Sequence, residues 1–161
     1  MTDQVCQPVS VSRTINASAE KLFALLAQTA NHPIIDGSGM VREPLPDTVV
    51  SGVGDVFSMS MYHDEMGKYE MCNHVVEYED GRRLVWEPVP APASRSEDVP
   101  ESGHYLWGYD FTPVSSDRTV VTETFDCTAS PAWLKEATKG GEGWIDAMTT
   151  SLEKLEALAT D

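Results

Sequence analysis

Four histidines, His32, His63, His74 and His104, are the residues in this chain best suited to hold a metal or move protons. Their spacing argues against the metal. No two stand four apart on a helical segment and none has a carboxylate at ligand spacing, so the one-sided cluster that a tetrahedral site needs is missing. No metal or other cofactor is expected. The run Tyr62-His63-Asp64-Glu65 gathers titratable groups where a strand ends, which is also the composition of a solvated hairpin tip. Between Lys68 and Glu79 the alternation makes two faces, Tyr69, Met71, Asn73 and Val75 on one and Glu70, Cys72 and His74 on the other. Val76 and Tyr78 make the second face apolar further along, so periodicity alone leaves open which face is inward. With Glu70 and His74 inward, burial would shift their pKa values and suit them to acid/base chemistry. With Asn73 inward, an amide would stand beside Met71 in an apolar surface. No Gly-x-Ser-x-Gly elbow, Cys/His pairing at a family spacing or glycine-rich phosphate loop is found.

Charge removes further classes of function. The chain has 161 residues and a net charge of -15, from 26 acidic and 11 basic residues, with no local Lys/Arg cluster. Such a surface repels phosphate backbones, so nucleic acid is not an expected partner, and the acidity is read as serving solubility. No apolar run approaches the roughly 20 residues needed to span a bilayer. The opening MTDQVCQPVS has neither the basic start nor the apolar core of a secretion signal, and a cytoplasmic protein is expected. Cys6, Cys72 and Cys127 are odd in number and far apart, which points to reduced thiols.

The elements that must position these residues follow from period and punctuation. Pro8 to Ile15 is β-rich, and Ser18 then caps a helix whose stripe is Leu22, Phe23, Leu25 and Leu26, with Glu20 in the first turn. Residues 31–46, NHPIIDGSGMVREPLP, are broken by Pro and Gly and admit at most one helical turn and one irregular edge strand. From Val56 to Tyr62 the period is two, placing Phe57, Met59 and Met61 on one face. The strand over 68–79 follows, and Asp80-Gly81 predicts a two-residue hairpin turn into a return strand, Arg82 to Glu87. Residues 88–103 are rich in Pro, Ser and acid and are expected to form a mobile loop. His104 to Val114 alternates with Tyr105, Trp107, Tyr109 and Phe111 on one side, and Arg118 to Thr128 is the last strand. Ser130-Pro131 signals a helix start, Lys139-Gly140-Gly141 predicts a kink, and Trp144, Ile145, Met148, Leu152, Leu155 and Leu158 mark the face of a helix over 142–159. One α+β domain spanning 1–161 is expected, a curved antiparallel sheet around a long C-terminal helix.

This order of elements, with NHPIIDGSG, EDGRRLVWEP and RTVVTETFD at its landmarks, resembles the START-like or SRPBCC superfamily, and most of all its bacterial polyketide cyclase/dehydrase branch. The resemblance runs from about Val9 to Leu158. It implies a helix-grip fold with a deep apolar cavity between the sheet and the last helix, and no residue motif shared across the superfamily's activities. From periodicity alone, the methionine and aromatic residues read as an ordinary core; the resemblance implies a hollow one. The expected ligand-binding residues are then Phe57, Met59, Met61, Met71, Asn73, Trp86, Trp107, Tyr109, Trp144 and Met148, around a hydrophobic or aromatic small molecule. A polyketide cyclase/dehydrase-type enzyme working in the same cavity, or an interaction module without a ligand, are the alternatives. No catalytic residue is assigned.

Overall fold

Alternating strands with one apolar face must cover that face, and the computed structural model, which describes residues 7–94 and 102–160, shows how. Seven strands, β1 (Val9–Ile15), β2 (Val41–Pro44), β3 (Val56–His63), β4 (Gly67–Glu79), β5 (Arg83–Pro90), β6 (Leu106–Ser115) and β7 (Arg118–Asp126), form one antiparallel sheet in the order β1-β7-β6-β5-β4-β3-β2. Helices α1 (Ala19–Ala27) and α2 (His32–Ile35) follow β1, and α3 (Ala132–Ala137) precedes the 16-residue α4 (Ile145–Thr160). The sheet closes on the helices through an apolar core that joins Leu22, Phe23 and Leu26 of α1, Leu152, Leu155 and Ala159 of α4, and Phe57, Leu84, Phe111 and Val121 of the strands. This is the helix-grip arrangement, a curved α+β sheet around a long C-terminal helix. No helix among the described residues is long and apolar enough to cross a membrane.

Most local signals act as their chemistry dictates. Ser18 Oγ accepts from Lys21 N at 3.1 Å, capping α1. Gly140 and Gly141 take positive φ angles, 68° and 98°, and separate α3 from α4 by a 3-10 segment, Lys139–Trp144. The α-helical turns therefore begin at Ile145 rather than at 142. Ile145 turns out to be exposed, although Met148, Leu152 and Leu155 are buried.

The open face of strand β4 is decided, and further expectations are corrected. Strand β4 carries a bulge between Val75 and Glu77, so Val75 and Tyr78, three residues apart, share the inner face while Val76 points outward. Simple alternation cannot register that extra residue. The hairpin connection between β4 and β5 takes three residues, with Gly81 alone at positive φ and Arg82 N donating to Glu79 O at 2.9 Å. Ser130 does not cap α3, because its hydroxyl donates to His104 O at 3.2 Å and Pro131 occupies the cap position. The loop expected over 88–103 is ordered at its start: β5 continues through Pro88 to Pro90, and a 3-10 turn covers Pro92–Ser94. Beyond Trp86, β5 pairs with β4 only, so prolines there sacrifice no ladder bond to β6. The rest of that loop, 95–101, lies outside the described residues. Among the cysteines, Cys72 is a free thiol, whereas buried Cys127 is disulfide-bonded, contrary to the expectation of reduced thiols throughout. Cys6 lies outside the described residues.

Candidate functional site

Between the concave face of the sheet and α4 the packing leaves a cavity of about 170 Å³. Each strand contributes through its period of two. Phe57, Met59 and Met61 come from β3, Met71 and Asn73 from β4, Trp86 from β5, and Trp107 and Tyr109 from β6. Trp144 and Met148 close it from the segment leading into α4 and from α4 itself. All of the residues named from the sequence as ligand-binding therefore border this one space. The inward face of β4 is the one carrying Tyr69, Met71, Asn73 and Val75; Glu70 and His74 are exposed on the outside and take no part. His63 and its neighbours form a surface turn, where His63 Nδ1 accepts from Glu65 N at 3.1 Å.

The wall is mainly aromatic. Trp86 and Tyr109 stack at 6.0 Å between ring centroids, and Trp107 meets Trp144 edge-on at 5.5 Å. His32 of α2 packs edge-on to Phe57 at 5.2 Å and near Trp86 at 5.6 Å. Rings held by other rings keep their orientation, giving the cavity fixed sides. Polar groups that belong to the fold are already engaged. Asn73 Nδ2 donates to Phe57 O at 3.2 Å, so part of its amide is committed to the sheet. His32 Nε2 donates to Leu26 O at 2.7 Å; a carbonyl only accepts, so this nitrogen carries the proton. Burial lowers the pKa of His32, against a smaller opposing effect of that hydrogen bond, and keeps the ring neutral. Asp36, at the end of α2, accepts from Ser38 N and Val41 N, both at 3.1 Å.

Glu123 is different. It sits on β7 opposite Tyr109 of β6, in phase with Val121 and Phe125, and its side chain points inward into the cavity with only 6% exposure. Burial pushes its pKa from the ordinary 4.5 up to about 8, with a hydrogen bond from the Tyr109 phenol partly opposing the rise and Asp36 adding to it. The carboxyl is thus a neutral acid at pH 7. Burial likewise raises Tyr69 to about 12, and lifts Tyr105 and Tyr109 further, so the phenols around the cavity stay protonated. Among the described residues, Glu123 Oε1 and Trp144 Nε1 are the buried side-chain polar atoms without a hydrogen-bond partner, and both residues line this cavity. Sequence reasoning passed over Glu123 because RTVVTETFD offers two mixed faces, one Thr/Val/Glu/Phe and one Val/Thr/Thr, neither plainly apolar. The one available signal was its phase: Glu123 shares a parity with Val121 and Phe125.

A hollow helix-grip fold of this kind has known counterparts. A family model described as polyketide cyclase / dehydrase and lipid transport matches residues 7–160. The chain belongs to this family. The family lies within the START-like, SRPBCC-type group, in agreement with the order of elements in the sequence. An uncharacterized protein of Mycobacterium tuberculosis, Rv0088, is 31% identical over 159 residues, covering 96% of this chain and 64% of the relative. The chain thus spans less than two thirds of the length of the curated relatives it matches. Two solved structures show the same fold at low identity. A protein from Arthrobacter aurescens superposes with a TM-score of 0.72 at 13% identity, over 99% of this chain and 90% of that one. Protein Ms6760 from Mycobacterium smegmatis gives 0.68 at 14%, over 95% and 90%.

Proposed function

We propose that this protein binds a hydrophobic or aromatic small molecule in the cavity between the sheet and α4. The observation that carries the reading is the convergence of aromatic and methionine side chains from four strands and the α4 segment around one space that they leave unfilled. Close-packed interiors do not ordinarily leave such a volume, which exceeds the ~150 Å³ engineered hole known to take up benzene. The inner space suits about one ring. An outer cleft of about 750 Å³ shares Met40, Tyr69, Met71, Tyr105 and Trp144 with it, so a longer ligand would extend outward past the two tyrosines. Family membership supports a ligand-binding cavity of this kind.

Native mass spectrometry of the purified protein, beside a thermal-shift screen of fatty acids, flavonoids, sterols and quinones, tests this reading. Binding appears as a co-purifying mass or as a raised unfolding temperature. Silence in both, on protein free of bound material, favours an interaction module. A second reading, catalysis of cyclisation or dehydration in the same cavity, is supported by Glu123, a buried protonated carboxyl beside a phenol. That reading requires turnover of a polyketide-like substrate, lost in Glu123→Gln with the fold intact.

A further inference from the structure

We infer that Glu123 Oε1 and Trp144 Nε1 are the polar anchors of the cavity, and that its occupant is a ring compound bearing a hydroxyl or keto oxygen rather than a plain hydrocarbon or acyl chain. The inference rests on the reading that the cavity takes up a small molecule. Folded proteins satisfy nearly all their buried polar groups, because an unmade hydrogen bond in a dry interior is a standing cost. Here the two residues that carry such atoms both line one cavity. They lie on separate elements, β7 and the segment entering α4, so no local backbone constraint accounts for both.

Their chemistry restricts the ligand. Indole N–H is a donor only, so Trp144 calls for an acceptor oxygen. The Glu123 carboxyl, already meeting the Tyr109 phenol, keeps Oε1 free; in the neutral acid it can accept from a ligand hydroxyl or give its proton to a carbonyl. A phenolic hydroxyl or a ketone answers both atoms, whereas the midsection of a fatty chain answers neither. The volume, about 170 Å³, is small enough that a ligand filling it reaches both walls. Flat sides built from Trp86, Tyr109 and Trp107 favour a ring. A site holding unpaired polar groups discriminates strongly against an analogue that lacks the matching group.

Two nearly isosteric probes, p-cresol and toluene, test the inference by NMR titration at pH 6.5. The wild-type protein should bind p-cresol at least tenfold more tightly than toluene. In Trp144→Phe, and separately in Glu123→Leu, that ratio should fall to within about threefold. The comparison within the wild type stands even where Glu123→Leu does not fold, and Trp144→Phe keeps the aromatic wall. Equal binding of the two probes by the wild type overturns the polar anchors while leaving a ligand cavity in place. A tenfold ratio that persists in Trp144→Phe also overturns the pair. Failure of both probes to bind defeats this inference and the proposed function together.

Discussion

Glu123 shows what one residue costs in a fold of this kind. Its pKa is higher in the folded protein, about 8, than the ordinary 4.5 of an unfolded chain. Between those values the folded state holds a proton that the unfolded state has released, so stability falls as pH rises. The contribution is whole below about pH 4.5 and is lost as pH passes through about 8. At about 1.4 kcal/mol per unit of separation, the loss amounts to a few kcal/mol. The titratable groups that line the cavity with Glu123 are buried His32 and Tyr109 and half-buried Tyr69 and Tyr105, and Asp36 acts on it from the end of α2. His32 works in the opposite direction below its ordinary pKa, because burial disfavours its cation. Glu123→Gln isolates the carboxyl from the rest. In denaturant melts, the variant should gain on the wild type by a few kcal/mol between pH 5 and pH 8; a constant difference across that range would place the Glu123 pKa near its ordinary value.

At the scale of elements, the segment between α2 and β2 is fastened to α4. Gly37 N donates to Ser151 Oγ at 2.8 Å, and Lys154 Nζ donates to Asp36 O at 3.0 Å. A Cβ on Gly37 would run into the backbone of α4, against Ala147 O and within 2.8 Å of Ser151 N. Backbone atoms of a packed helix cannot step aside as a flexible side-chain tip can. Gly37→Ala should therefore cost about 1 to 3 kcal/mol in a urea melt, the usual range for overpacking. A loss below about 0.5 kcal/mol would mean that the 36–40 segment can lift away from α4. At the other end of the helix, Arg13 of β1 pairs with Glu156 at 2.8 Å and Lys21 Nζ donates to Ala159 O at 2.6 Å. Both contacts are partly exposed, so the apolar stripe remains the main attachment of α4.

The whole molecule decides between a hollow and a solid centre. A ligand that binds only the folded state adds about 2.7 kcal/mol at 100 times its Kd, which for a domain of this size raises the unfolding temperature by roughly 5 to 10 °C. A thermal scan of wild-type protein with saturating p-cresol should show a shift of that order. Met148, 1% exposed and on the cavity wall, supplies the complementary test. Met148→Trp adds bulk where the structure has room. Stability should change by less than about 1 kcal/mol, while affinity for p-cresol falls at least tenfold; a loss in the ~1–3 kcal/mol range of an overpacked core would mean that this part of α4 meets the sheet as solid packing.

Periodicity and punctuation in the sequence were enough for the strand faces of β3 and β6, the Ser18 cap, the glycine break before α4 and the order of elements, because each depends on neighbours a few residues away. With the family resemblance they also reached ten of the residues that border the cavity, though not Glu123. Tertiary structure decided the rest. The inner face of β4 depends on a bulge that exists only when β5 is paired beside it, and the prolines of β5 are tolerated only because β6 has already left that edge. Glu123 became a neutral, half-partnered acid through burial between β6, β7 and the cavity. Burial is a property of the assembled surroundings, and no spacing along RTVVTETFD encodes it.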